Sequence, residues 1–371
     1  MSDNKENSKF FLMFGCVTVN SMMNLSKNRR AFLKTTAIAG IGVGISGSAL
    51  GGIFNEPAKT LSSHRLFVPT GRVGMIGLDT SHCEAFTKVL NQPNPEPDFA
   101  GFPVVAAYPH GSKDIESSVS RIPKITDDIK KYNVQIVGSI DELLKQVDVV
   151  LLETNDGRLH YEQALLVLKA GKRLFIDKPV AANLADAVAI FAAAKKYNTP
   201  VFSCSSLRFA PAVQDIAKGN TVGKVLGADT FSPCTIEKTH TDLFWYGIHG
   251  VETLFTIMGR GCRQVVRTYQ EGTDVVVGTW QDGRIGTFRG TRTGQYDLGG
   301  TAFGEKGNNH FSAEGGYEPL LKEIVQFFKT GIPPVAADET IEICAFMEAA
   351  DESKRLGGVP VELKTVMAKV K

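Results

Sequence analysis

Val149–Pro179 reads VVLLETNDGRLHYEQALLVLKAGKRLFIDKP, and the fold class follows from it. Val149 to Leu152 is a short, wholly apolar run, as expected of a parallel strand covered on both faces, and Arg173 to Ile176 is a second such run. Between them, Tyr161 to Ala170 has helical spacing and stops at Gly171. A right-handed crossover of this kind leaves the carboxyl ends of both strands at one edge of the sheet, where open α/β folds take their ligands. Thr154, Asn155 and Lys178 therefore converge on one crevice.

Outward from this stretch, Arg72 to Gly77, Val104 to Tyr108, Val134 to Val137, Asp148 to Leu152 and Pro200 to Ser203 are further short apolar runs alternating with helical segments. Leu184 to Tyr197 is an alanine-rich helix, and Asn91 to Gly101, rich in proline, is a loop. This rhythm predicts a doubly wound parallel sheet over residues 70–204. After residue 205 the rhythm changes. Val225 to Glu237, Arg263 to Gln270, Thr273 to Asp282 and Arg284 to Thr293 read as long strands, with hairpin signals at Glu271-Gly272 and Asp282-Gly283. Helices over Tyr317 to Thr330 and Asp338 to Leu356 close the chain. Residues 205–371 are thus expected to form an α+β domain on a mainly antiparallel sheet.

The Val149–Pro179 block resembles the Gfo/Idh/MocA oxidoreductases, whose Rossmann domain carries T-P-N-x-x-H, a helix ending in A-G-K, and E-K-P. The counterparts are Thr154-Asn155, His160, Ala170-Gly171-Lys172 and Asp177-Lys178-Pro179. The loop lacks the family's proline and is one residue longer between Thr154 and His160, and Asp177 stands where glutamate is usual. The resemblance implies that Thr154, Asn155, His160, Lys178 and Pro179 face a dinucleotide, and that Lys178 helps shuttle the proton of a hydroxyl being oxidised. It also implies a substrate pocket walled by the second sheet, which often forms a homo-oligomer interface.

The nucleotide loop departs from the pattern. A dinucleotide-binding turn uses G-x-G-x-x-G to let the backbone approach the pyrophosphate, but here the stretch is Gly77-Leu78-Asp79-Thr80-Ser81-His82. An unpaired carboxylate about 4 Å from a phosphate costs on the order of 4 kcal/mol at an effective dielectric of 20. The helix N-terminus returns only about 0.3–1 kcal/mol. Three readings stay open: Asp79 turns away and caps the next helix while Thr80, Ser81 and a protonated His82 serve the phosphate, with Gly77 and Leu78 also against the cofactor; the cofactor sits in a shifted pose; or none binds. No acid ends the second strand, Tyr108-Pro109-His110-Gly111-Ser112-Lys113, so NAD and NADP both stay open, and His110, Ser112 and Lys113 would suit a 2'-phosphate.

The family's second motif, D-x-G-x-H, corresponds to Trp245-Tyr246-Gly247-Ile248-His249. His249 is the candidate general acid/base, since an imidazole titrates near neutrality; a buried core histidine is the alternative. Asp242, two helical turns earlier, reaches the same face if the helix begins early enough. Asp242, Trp245, Tyr246, His249 and Lys178 are the expected substrate contacts, with Phe244 and Trp245 able to stack on a sugar ring. Glu237, His240, Asp242 and His249 match no standard metal spacing, so no metal is expected.

Composition bounds the rest. The 371 residues carry a formal charge of +2, and the body after residue 50 is close to neutral, which gives no reason to expect nucleic acid. Asn28-Arg29-Arg30-Ala31-Phe32-Leu33-Lys34, followed by the apolar, glycine-rich run Thr35 to Gly52, has the layout of a twin-arginine export signal, with Met22 or Met23 as a plausible initiator. Residues 1–54 are expected to be this signal and extension, recognised by the twin-arginine machinery and directing the protein to the periplasm or beyond. The cysteines after Cys16 are odd in number and show no C-x-x-C, so buried thiols are expected. Together these observations point to an exported NAD(P)-dependent oxidoreductase acting on a sugar, cyclitol or related polyol. An NAD-dependent glycosidase, or a saccharide-binding relative that has lost the dinucleotide site, are the alternatives.

Overall fold

The computed structural model describes residues 70–370. The proposed export signal and initiator lie outside these residues. Among the described residues thirteen strands form two sheets: β1 Val73–Ile76, β2 Val104–Tyr108, β3 Gln135–Ile136, β4 Val149–Leu152, β5 Arg173–Ile176 and β6 Val201–Ser203 in the first, and β7 Val225–Pro233, β8 Cys262–Gln270, β9 Thr273–Trp280, β10 Ile285–Thr291, β11 Gly299–Gly304, β12 Gly307–Ser312 and β13 Val361–Glu362 in the second.

The first sheet is parallel throughout, in the order β3-β2-β1-β4-β5-β6. Its central strands β1 and β4 are buried at every residue, which is why their sequences are unbroken apolar runs rather than alternations. Crossover helices cover the faces. Gly157–Lys169 starts at Asp156, whose carboxylate accepts the N–H of Arg158, and Leu184–Lys196 starts at Asn183, whose side chain accepts the N–H of Asp186. The order reverses between β1 and β4, so the chain segments leaving β1, β4 and β5 meet at one edge. Gly77 makes the turn out of β1 with φ +80, and a Cβ there would lie 2.4 Å from Thr154 Oγ1 and 2.5 Å from its amide nitrogen.

The second sheet runs β12-β11-β7-β10-β9-β8-β13. It is mixed: β7 and β10 pair in parallel, and the remaining pairs are antiparallel. Both hairpin turns lie where expected, joining β8 to β9 and β9 to β10. The β11–β12 hairpin gave no hydrophobic alternation to read, being Gly-Gly-Thr-Ala-Phe-Gly and Gly-Asn-Asn-His-Phe-Ser. Helix Ile248–Met258 packs on β7 and β10, and the terminal helices are Glu318–Thr330 and Ala337–Arg355. No described helix is long and apolar enough to cross a membrane.

Arg267, fully buried on β8, holds this domain together electrostatically. Its guanidinium reaches Asp242 at 2.9 Å and Asp274 at 2.8 Å, and also pairs with Asp351. Cys83, Cys204, Cys234, Cys262 and Cys344 are all buried free thiols.

Candidate functional site

The crevice at the carboxyl edge of the first sheet opens into a cavity of about 440 Å³. Thr80, Ser81 and His82 enter it from the start of helix Ser81–Leu90, Asn155 from the end of β4, and Asp177 and Lys178 from the end of β5. Trp245, Tyr246 and His249 close it from the second domain. The topology therefore brings Lys178 and His249, far apart in sequence, to one cavity.

His249 is positioned by a chain of contacts from beneath. Ser205 Oγ is 2.7 Å from His249 Nδ1, while the Ser205 N–H donates to Glu252 at 2.6 Å and Arg208 donates to the same carboxylate at 2.7 Å. This occupies Nδ1 and leaves Nε2 as the nitrogen open to a ligand. Burial of the ring, reinforced by the charge of Lys178, holds the His249 imidazole well below its ordinary pKa, so it is neutral at pH 7. The Tyr246 ring packs edge-on against it at 4.8 Å.

Two expectations for this region are corrected. Asp242 does not share a helix with His249. It lies in a separate turn, Asp242–Trp245, broken from Ile248–Met258 at Tyr246-Gly247, and its carboxylate is taken by Arg267 and by Lys354 at 2.5 Å. Phe244 is fully buried and cannot stack on a ligand, whereas Trp245 lines the cavity. Glu237, His240 and Asp242 do not gather with His249: His240 faces Asp156 at 3.5 Å instead.

The cofactor residues separate into two groups. Thr80, Ser81, Asn155 and Lys178 line the cavity. Gly77 and Leu78 are turned inward, their N–H groups bonded to the carbonyls of Tyr108 and Pro109, and Leu78 is fully buried. Thr154 and Pro179 are buried, with a cis bond between Lys178 and Pro179. His160 is a satisfied core histidine, its Nε2 2.5 Å from Thr154 O and its Nδ1 3.2 Å from Val180 O.

Asp79 neither caps the helix nor faces the cavity. Thr80 occupies the N-cap position, without a side-chain bond. The Asp79 carboxylate is fully buried and accepts the Ser112 N–H at 2.9 Å, the Ser112 hydroxyl at 3.0 Å and the Asn155 N–H at 2.9 Å. It also packs so closely on Gly111 that a Cβ there would fall 2.3 Å from Oδ2. Asn155 Nδ2 bonds Ser118, and Arg158 pairs with Asp114, fastening the segment after β2 over the loop after β4. The carboxylate thus sits between the first turn and the end of β2, the place where a Rossmann domain receives the ribose and pyrophosphate. Ser112, expected as a partner for a 2'-phosphate, is committed to Asp79. Ser112 and the Asn155 N–H are thus spent on Asp79, and they reach a dinucleotide only where Asp79 is released.

The sequence reading missed a buried acid. Glu153, next after β4, is fully buried beside His82 and Asp177, with His82 Nδ1 3.4 Å from Glu153 Oε2 and 3.2 Å from Asp177 Oδ1. Burial opposes charge on the His82 ring, but Asp177 and Glu153 outweigh it and push its pKa up to about 10. Burial raises Glu153 to about 7. It also opposes ionisation of Asp177, but His82 and Lys178 hold that carboxyl well below its usual range. The signal was available: a charged residue directly after four apolar strand residues, at the ligand edge. Ser117, Arg121 and Tyr317 also line the cavity, with no comparable signal in the sequence.

Residues 71–204 match the model of the oxidoreductase family with an NAD-binding Rossmann fold, Gfo/Idh/MocA. No curated protein matches the sequence. Among solved structures, a probable dehydrogenase from Thermotoga maritima is 20% identical, with a TM-score of 0.65 over 80% of this chain and 99% of its own. A myo-inositol 2-dehydrogenase from Lactobacillus plantarum is 15% identical, with a TM-score of 0.62 over 79% of this chain and 99% of its own. A scyllo-inositol dehydrogenase from Lactobacillus casei, with bound NAD(H) and scyllo-inositol, is 12% identical, with a TM-score of 0.62 over 80% of this chain and 100% of its own. At these identities the likeness establishes the shared fold.

Proposed function

We propose that this chain, whose Rossmann domain belongs to the Gfo/Idh/MocA oxidoreductase family, is an exported protein that binds a sugar, cyclitol or related polyol in the cavity, where Lys178 and His249 handle the proton of a substrate hydroxyl. The observation that carries the reading is the convergence of Lys178, His249, Trp245 and Tyr246 on one cavity. A neutral imidazole with one free nitrogen accepts a hydrogen bond from a substrate hydroxyl and the Lys178 ammonium donates one to its oxygen; the proton moves to the imidazole with net reaction only where a hydride acceptor such as NAD+ or NADP+ takes the carbinol hydrogen. Trp245 offers an aromatic face to the apolar side of a sugar ring. Inositols bound or acted on by proteins of this fold support the choice of polyols, and Arg29-Arg30 with the apolar run behind them supports export.

Oxidation of the polyol by NAD or NADP is the second reading, favoured by the family match over residues 71–204. It requires Ser112 and Asn155 to release Asp79. An NAD-dependent glycosidase carries the same requirement. Phe231 and Ile285, exposed on the face of the second sheet turned away from its helix, support pairing of two copies through that sheet.

The test is the melting temperature with inositols and hexoses, and separately with NAD+ and NADP+. Saturation at about 100 times the dissociation constant adds nearly 2.7 kcal/mol. Stabilisation by a polyol alone supports polyol binding without a dinucleotide; stabilisation by a nucleotide favours the dehydrogenase and glycosidase readings. No response to any polyol or sugar refutes the proposal.

A further inference from the structure

We infer that His82, Glu153 and Asp177 form a binding site for one divalent metal ion of the zinc or first-row transition type, in the wall of the cavity. Three separate elements supply the donors: His82 the first turn of helix Ser81–Leu90, Glu153 the residue after β4, and Asp177 the residue after β5. One atom from each, a ring nitrogen and two carboxylate oxygens, lie within 4.8 Å of one another. All three side chains sit at the carboxyl edge of the parallel sheet and are nearly inaccessible to solvent.

The second observation is what these atoms lack. His82 Nδ1, both oxygens of Glu153 and both oxygens of Asp177 are buried without a hydrogen-bond partner. Other buried carboxylates in this chain are well supplied: Asp79 accepts three hydrogen bonds, and Asp274 is bonded by Arg267 and Arg292. A buried carboxylate without donors is costly, and a cation bound between the three side chains satisfies them together. Nδ1 is within ion-pair distance of both acids but in hydrogen-bond geometry with neither.

One imidazole with two carboxylates is a mixed nitrogen and oxygen set that suits Zn²⁺, Co²⁺, Mn²⁺ or Fe²⁺. Three protein ligands leave positions open, and because His82 and Asp177 line the cavity, a vicinal diol there can complete the shell. The ion site rests on the protein contacts and stands whether or not the polyol reading holds. Its competitor is a proton on His82, which would make an imidazolium between the two acids with Lys178 Nζ 3.7 Å from Asp177 Oδ2 as a further cation; metal binding displaces that proton.

The experiment strips the full chain with a chelator and titrates it with Co²⁺ and then Zn²⁺, reading calorimetry and the visible Co²⁺ spectrum. One equivalent of Co²⁺ per chain, displaced by Zn²⁺, is expected, with at least about a tenfold loss of affinity in Glu153→Gln and in His82→Asn, each checked for the wild-type circular dichroism spectrum. Should both variants fail to fold, NMR of the isotope-labelled histidines in the wild type reads whether Zn²⁺ displaces an imidazole proton. Absence of stoichiometric binding, affinity unchanged in folded variants, or histidine spectra indifferent to Zn²⁺ each overturn the inference.

Discussion

The Asp79 carboxylate accepts the backbone N–H of Ser112 at 2.9 Å and, with its other oxygen, the N–H of Asn155 at the same distance, tying together the chain segments that follow β1, β2 and β4. In a glycine loop the backbone of the first turn approaches the pyrophosphate directly. Here a side chain of the protein provides the negative charge that a phosphate would bring. Burial raises the Asp79 pKa, and the bonds from Ser112 and Asn155 pull it back.

Replacing Asp79 by glycine should therefore open the loop. Asp79→Gly is expected to lower stability by about 3 kcal/mol through lost charge-assisted hydrogen bonds, and to melt several degrees higher with saturating NAD+ or NADP+ than without. The parent is expected to show no such shift. Equal nucleotide stabilisation of parent and variant, measured by scanning fluorimetry, would mean that the clamp does not guard the site.

Lys178→Met and His249→Asn are expected to separate binding from chemistry. In the Asp79→Gly background, which admits the nucleotide, and on a polyol identified by its effect on melting, each should slow NAD+- or NADP+-dependent oxidation by about 10²–10⁴-fold while the protein still folds and binds the polyol. Retained rates in either variant would remove that residue from the proton path.

The His249 imidazole gives stability a pH dependence. Its folded pKa lies well below 6.5 because the ring is buried and faces Lys178. As pH falls below 6.5 the unfolded chain takes up a proton there and the folded chain does not, so stability is lost, by up to about 1.4 kcal/mol per pH unit, until the folded pKa is reached. His249→Gln should lose less stability between pH 7.5 and 5.5 than the parent, read from urea midpoints. An identical loss in both proteins would contradict the assignment.

Arg267→Ala should be among the most damaging changes outside the cavity. It leaves the buried Asp274 with Arg292 alone, the half-buried Asp351 without a cation, and Asp242 with Lys354 alone. About 3–5 kcal/mol of destabilisation is expected from such a broken buried pair. A loss below about 1 kcal/mol by chemical denaturation would show that the carboxylates relax by protonation or hydration.

Much of the fold was legible because strand burial leaves a mark on each residue. β2 and β5 occupy Val104–Tyr108 and Arg173–Ile176 as read, and the two β-hairpins turn at their glycines. The β11–β12 hairpin escaped because its strands are glycine-rich and polar, so their place depends on pairing with β7 rather than on their own pattern. Lys178 and His249 were legible as motif positions. The fate of Asp242 was not, since a helix break and a partner on another strand lie beyond what spacing encodes.

The sequence by itself determined a parallel α/β domain with Lys178 at its ligand edge, followed by an α+β domain, because periodicity and glycine placement are local properties of the chain; the resemblance to the family is what singled out His249. Only the tertiary structure decided which way Asp79 would face and which acids would gather at the cavity. A carboxylate commits to whatever donors or cations surround it after burial, and Ser112, Asn155, His82 and Arg267 reach their partners only once distant strands lie side by side.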